Sequence, residues 1–196
     1  MHVALELFAR RGFSSVTIKD IAKAASINSA LLYYYFDSKE DLFKSSIEHA
    51  ILRALENYAR LKQKHTDPVD LINDWFENNI EMASSFRKLV KIMLDYSNSE
   101  IRLESVDALI KQFYKEEMSI LATSIRRGVD TGVFKALDAD RLAEFTSLHL
   151  DGIMTGSMIR TGLDLRRAIS DLKELFWSRL GYRSKSSPAR RISIRR

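Results

Sequence analysis

The sequence predicts an all-α protein of about nine helices, on three observations. Two prolines and seven glycines among 196 residues leave long stretches free of chain breakers. Nearly every stretch repeats its apolar residues at the i, i+3, i+4, i+7 spacing of one helix face, and nothing alternates at period two over a useful length. Hydrophobic residues at 45% and charged residues at 29% give the balance of a globular chain, and no internal repeat is visible.

Taken in order, Val3 to Arg11 predicts a first helix with Ala4, Leu7 and Phe8 on one side, stopped by Gly12. Thr17 is an N-cap with Asp20 at the N3 position of a capping box, and the helix it opens has an inner face of Ile18, Ile21, Ala22 and Ala25. Ser26-Ile27 forms a turn, and Asn28 caps a very short third helix through about Tyr35. Ser38, with Asp41 three residues on, opens a fourth helix to about Lys64, striped by Phe43, Ile47, Ile51, Ala54, Tyr58 and Leu61. Asp67-Pro68 places a cap before a proline at the first helical position and opens a fifth helix holding Ile72, Trp75, Phe76 and Met82. A sixth spans Phe86 to about Tyr96, Ser97-Asn98-Ser99 is a loop, and a seventh runs from about Glu100 to Asp130, ended by Gly132. Asp138 caps an eighth to about Arg160, and Asp164 or Leu165 begins the ninth, with Ile169, Leu172, Phe176 and Leu180 buried.

Charge is distributed unevenly. The formal net charge is +5, but residues 183–196 hold Arg183, Lys185, Arg190, Arg191, Arg195 and Arg196 with no acid. Residues 1–182 therefore carry 25 basic and 26 acidic groups, so the basicity belongs to a Ser-rich tail that reads as a disordered, solubilising segment. The longest apolar run, Ala30 to Phe36, is far short of the ~20 residues that cross a bilayer. With no basic start followed by an apolar stretch, a secretory signal is not expected and the location implied is the cytoplasm.

Residues 4–42 combine three short helices with a sharp turn between the second and third, the arrangement that presents a helix to a DNA major groove. The third helix exposes Ser29, Ala30, Leu31, Tyr33 and Tyr34, while Leu32, Tyr35 and Phe36 can pack inward. Ser29 can hydrogen-bond a base edge, small Ala30 permits close approach, and Leu31 can meet a thymine methyl. Thr17, Lys19, Tyr33 and Lys39 suit phosphates, which fix register without reading sequence. Asn28, at the start of the helix, completes the candidate set.

Leu-Phe-Ala-Arg-Arg-Gly-Phe at 7–13, Thr-Ile-Lys-Asp-Ile-Ala at 17–22 and Leu-Tyr-Tyr-Tyr-Phe-Asp-Ser-Lys-Glu-Asp-Leu at 32–42, at these spacings, resemble the DNA-binding domain of the tetracycline-repressor (TetR/AcrR) family. Beyond them only helix order, lengths and Asp-Thr-Gly-Val-Phe at 130–134 are alike. The resemblance implies an all-helical homodimer on a pseudo-palindromic double-stranded operator, with a DNA-binding domain at 1–47 and a ligand-sensing, dimerising domain at 48–182. It also implies that Thr17, Lys19, Ser29, Ala30, Leu31, Tyr33, Tyr34 and Lys39 touch DNA. Ser26 stands where the family usually has Gly, Ala30 fills a second small position, and the first helix is short, the family normally having further, often basic, residues upstream.

Residues 48–182 carry 19 basic and 21 acidic groups, so this part is not built for phosphate. Leu142, Phe145, His149, Gly152, Gly156 and Ile159 step by 3, 4, 3, 4, 3 along the eighth helix, the spacing of a seam against a partner helix. Two glycines inside one helix cost about 1 kcal/mol each, a cost that close backbone approach would offset. Ile169, Leu172, Phe176 and Arg179 give the ninth helix similar spacing, which predicts a four-helix interface between two copies. Such a dimer would set two reading heads about 34–36 Å apart, one DNA turn. Candidate pocket residues are Trp75, Phe76, Asn79, Met82, Met93, Tyr96, Phe113, Tyr114, Met118, His149 and Met154, with Asn78 as a further polar group, lining a site for an apolar or amphipathic effector. Filling it would swing the fourth helix and release DNA, the behaviour of a repressor.

No enzyme is expected. Cysteine is absent, the four histidines are scattered outside any ligand spacing, and no phosphate loop or nucleophile elbow occurs; neither cofactor nor metal is implied. A helical protein-protein adaptor is the alternative, and it leaves the 4–42 segment unexplained.

Overall fold

The computed structural model describes residues 1–100 and 102–182; the basic tail at 183–196, expected to be disordered, lies outside the described residues. Among the described residues there are nine α-helices and no strand: α1 His2–Arg11, α2 Ile18–Ala24, α3 Ser29–Tyr35, α4 Lys39–Lys64, α5 Pro68–Glu81, α6 Ala83–Ser97, α7 Glu104–Asp130, α8 Ala139–Ile159 and α9 Leu165–Leu180. None of these helices is long and apolar enough to cross a membrane.

Five predicted caps form as hydrogen bonds. Thr17 and Asp20 make the reciprocal capping box of α2, and Asn28, Ser38, Asp67 and Asp138 each accept from a backbone N–H in the first turn of their helix. Two boundaries differ from the sequence reading. α6 starts at Ala83, with exposed Met82 at the junction with α5 rather than on the inner face of α5. α7 starts at Glu104 because Tyr96 holds the preceding loop: its hydroxyl accepts from the Leu103 N–H at 2.9 Å and donates to the Leu103 carbonyl at 3.2 Å.

The head is α1–α3 packed on the first turns of α4. Phe8, Phe13 and Phe43 form its aromatic centre, with ring centroids 5.0 Å apart for Phe8–Phe43 and 4.8 Å for Phe13–Phe43. α4 then continues without a break for 26 residues, about 39 Å, into the body, where it packs on α5, α6 and α7. α1 also touches α6, so the head rests on the body through two helices. Glu6 on α1 accepts a hydrogen bond from Lys88 on α6, which holds the Glu6 carboxyl below the usual range.

In the body α7 packs on α4, α5 and α8, and α9 closes the far side against α5 and α8. The α7 C-terminus folds back on Gly128, whose carbonyl accepts from the N–H groups of both Val133 and Phe134. The Phe134 ring lies flat on this glycine, and Trp177 and Tyr182 hold it with centroids 5.8 and 5.9 Å away. A Cβ at position 128 would come within 2.1 Å of that ring, so only glycine fits. Gly128→Ala should therefore cost about 1–3 kcal/mol of stability, read as a lower urea midpoint with an unchanged slope; a midpoint equal to wild type would show that the ring moves freely.

Candidate nucleic-acid interface and sensing cavity

The turn between α2 and α3 places Ser26 in the left-handed region at φ 56°, doing with a serine what glycine does more easily. This turn directs α3 outward. Leu32 packs into the head, Ser29 and Phe36 are half-buried, and Ala30, Leu31, Tyr33 and Tyr34 are exposed. Tyr35, expected to point inward, is 66% exposed and meets Tyr34 edge to face at 5.1 Å. On a helix of seven residues with so small a head core beneath it, only Leu32 is fully buried. Three successive tyrosines thus face solvent in one patch.

Other candidate DNA contacts are engaged within the chain. The Thr17 hydroxyl donates to Asp20 Oδ2 at 2.7 Å and accepts from the Asp20 N–H at 3.1 Å, so its one donor is used by the cap, and this pairing holds the Asp20 carboxyl below its ordinary range. The Lys39 ammonium donates to the Phe13 carbonyl at 3.1 Å and sits 4.2 Å from the Phe13 ring centre. It ties α4 to the α1–α2 loop rather than standing free. Asn28 uses Oδ1 to cap Ala30, its Nδ2 taking no part in that bond, and Lys19 is exposed.

The body contains a cavity of about 330 Å³ between α6, α7 and α8. Val90, Met93, Leu94, Tyr96 and Ser97 line it from α6, Asp107, Ile110 and Tyr114 from α7, and Asp151 and Thr155 from α8, with Arg102 at the α6–α7 loop. Tyr114 Oη donates to Asp151 Oδ2 at 2.8 Å. One helical turn along α7, Glu117 is buried and accepts from Tyr58 Oη at 3.0 Å and from Ser147 Oγ. Burial pushes the Glu117 carboxyl up to about 7; the Asp151 charge adds to this, and the bonds from Ser147 and Tyr58 oppose it. Burial likewise raises Asp151 against the opposing bond from Tyr114, and both tyrosine hydroxyls are shifted upward, chiefly by burial.

Of the predicted pocket residues, Met93, Tyr96 and Tyr114 line this cavity and the others do not. Trp75 and Phe76 are fully buried and meet edge to face at 4.9 Å, and Phe113 stacks on Tyr58 at 5.7 Å. Asn79 donates to the Trp75 carbonyl one turn back, and Asn78 accepts from Asn57. Met154 is core, Met118 is half-buried outside the lining, and Met82 is exposed. His149 lies on the outer surface, its ring 3.8 Å from that of Phe145 and its Nδ1 2.7 Å from the Phe145 carbonyl. Helical period separates inner from outer faces but does not say which inner face borders a void. Arg102, Asp107 and Asp151, which also line the cavity, and the Glu117–Ser147 pair behind it lie outside the set that helical period singles out. Their signal was polarity on facing stripes: Tyr114 and Glu117 three apart, Ser147 and Asp151 four apart.

The expected partner seam also divides. Ile169, Leu172 and Phe176 are buried within the chain, Phe176 lying 5.4 Å from Phe76, and Leu142 is buried too. The three α9 residues are protomer core because α9 covers α5, and Leu142 is core because α8 packs between α7 and α9. The outward face keeps Phe145, His149, Gly152, Ile159 and Arg179, with half-buried Gly156 beside Leu163. Leu148 and Leu175, 64% and 60% exposed, join it.

Residues 1–45 match the family described as bacterial regulatory proteins, tetR family. The HTH-type transcriptional repressor KstR2 of Mycolicibacterium smegmatis is 26% identical over 146 residues, 74% of this chain and 71% of its own. A transcriptional regulator of Saccharomonospora viridis, solved in complex with choline, superposes with TM-score 0.76 at 24% identity over 89% of this chain and 91% of that one. FadR of Bacillus subtilis, solved in complex with stearoyl-CoA, gives 0.68 at 21% over 91% and 96%. These two likenesses show that head and body together form a shared fold.

Glu117 also makes a pH prediction. Its carboxyl titrates near 4.5 when ordinary and near 7 here, so its stabilising share is complete below pH 4.5 and is lost as pH rises to about 7. That loss is of order 3 kcal/mol. Glu117→Gln, which keeps an acceptor for Tyr58, should remove much of the fall in stability between pH 5 and 8 and should be the more stable chain at pH 8; parallel urea midpoints for the two proteins would contradict this.

Proposed function

We infer that this chain, whose N-terminal unit is that of the TetR family, is a ligand-responsive transcriptional repressor that binds operator DNA as a homodimer. The observation that carries the reading is the outward face of α3, where Ala30, Leu31, Tyr33 and Tyr34 stand exposed on a helix fixed from behind by α2 and by Leu32. Small and apolar groups near the start of α3 suit base edges, and the tyrosine hydroxyls suit phosphates. In this reading residues 1–47 read DNA and 48–182 sense and dimerise, although α4 crosses that boundary unbroken. The protein then works beside the DNA in the cytoplasm and is a regulator rather than an enzyme.

The α8 face with Phe145, Leu148, Gly152 and Ile159, together with Leu175 and Arg179 of α9, is the surface on which a second copy would pack. The cavity is the effector site, and the ligands of the two solved regulators, a small cation and an acyl thioester, differ enough that the fold alone does not choose one. Transmission follows from the packing. α6 lines the cavity and also holds the head through Lys88 and Glu6, while α4 is tied through Tyr58 to Glu117 on α7, one turn from the cavity-lining Tyr114. An effector that favours one setting of α6 and α4 shifts the spacing of the two heads, and only that difference in affinity drives release, typically 1–3 kcal/mol of coupling.

Selection from a random duplex pool should return a two-fold symmetric site whose affinity falls steeply with salt. Tyr33→Ala should weaken binding about tenfold on all sequences by loss of a phosphate contact, whereas Leu31→Ala should relax base preference at one position per half-site. Selection returning no favoured sequence would end the reading.

A further inference from the structure

The α6–α7–α8 cavity is lined by a carboxyl group that no basic side chain among the described residues meets. Asp151 is half-buried on its wall, and the partner that its carboxylate has among the described residues is the neutral hydroxyl of Tyr114. Glu117, buried behind Tyr114, is likewise held by two hydroxyls, from Tyr58 and Ser147. Among the described residues no lysine, arginine or histidine forms an ion pair with either carboxyl. The one basic residue in the lining, Arg102, is occupied at the rim: its guanidinium lies 3.5 Å from Asp107, donates to the Ser97 carbonyl at 3.3 Å and sits over the Tyr96 ring at 5.6 Å. Arg102 and Asp107 cancel, which leaves Asp151 as the uncompensated charge of the cavity, with Glu117 beneath it.

A partly desolvated carboxylate without a cation is unfavourable, and such groups are met by a positive partner or stay protonated. The walls beside Asp151 add two further features. Tyr114, which lines the cavity, brings an aromatic ring of the kind that attracts ammonium groups, whereas the Tyr96 ring is fully buried and already carries the Arg102 guanidinium. Val90, Met93 and Ile110 give an apolar remainder. An anionic ligand would face Asp151 unscreened, and a neutral one would gain from the apolar wall alone.

We propose that this cavity takes a small organic cation, an ammonium group on an apolar body, with the charge seated at Asp151 beside Tyr114. The volume of about 330 Å³, at the lower end for ligand sites, suits a compact molecule. The assignment rests on the reading of this cavity as the effector site and adds the class of effector.

The test is calorimetric titration of the full chain without DNA, at pH 8 and low salt, using octyltrimethylammonium, octylammonium, octanoate and octanol, each below any micelle-forming concentration. At least one cation should bind tenfold or more tightly than octanoate and octanol. Asp151→Asn, which keeps an acceptor for Tyr114, should reduce cation affinity at least tenfold and leave octanol unchanged, with circular dichroism checking its fold. Octanoate or octanol binding as tightly as the cations, no binding by either cation, or undiminished cation affinity in a folded Asp151→Asn would each overturn the assignment. The wild-type comparison decides the matter even if the variant does not fold. Sequence-selective DNA binding that octanol releases would leave the repressor standing and remove the cation; cation binding without any preferred DNA site would do the reverse.

Discussion

Head and body share one helix, and the rest of the structure follows from that. Phe43, near the start of α4, is an integral part of the aromatic centre of the head, and Tyr58, four turns later, is buried against Phe113 and Glu117 in the body. Fully burying a side chain of this size contributes about 1.5–3 kcal/mol. Moving the head independently of the body would expose one of these anchors or bend a helix that has neither proline nor glycine in its 26 residues. The head therefore follows α4, and whatever α4 touches in the body becomes a lever on the exposed face of α3. The Glu6–Lys88 contact adds a second lever through α6, the helix that supplies five of the cavity-lining side chains.

The body, by contrast, accepts a local cost. A conventional helical core would place apolar residues at 117, 147 and 151. Here Glu117, Ser147 and Asp151 face Tyr58 and Tyr114, and hydroxyls satisfy the carboxyls without neutralising them. Their raised proton affinities measure how unfavourable the charged form is in that place. Buried polar groups that stabilise poorly are commonly functional, and these sit where the levers to the head converge.

Much of the fold was legible in the sequence because helices announce themselves locally. The caps at Thr17, Asn28, Ser38, Asp67 and Asp138 are decided within four residues, and each forms. The α3 exposure pattern was readable for Leu31, Tyr33 and Tyr34 but not for Tyr35, whose fate depends on how little core lies under so short a helix. Thr17 and Lys39 carried the right chemistry for phosphate, yet one is committed to a capping hydrogen bond and the other to the Phe13 carbonyl and ring. The cavity was the least legible. Aromatic and Met side chains at helical spacing serve as core at Trp75, Phe76 and Phe113 and as cavity wall at Tyr96 and Tyr114.

By itself, then, the order of residues determined the helices, their caps, the turn at Ser26 and the family resemblance of residues 7–42, because each depends on groups a few positions apart. Tertiary structure alone decided that Ile169, Leu172 and Phe176 belong to the protomer core, that Gly128 must stay bare beneath Phe134, and that Tyr114, Glu117 and Asp151 meet beside one cavity. The first and last depend on which helix lies against which face at a separation of 30 residues or more, and Phe134, six residues from Gly128, is held there by Trp177 and Tyr182 from the far end of the chain; periodicity within one helix carries no record of its neighbour.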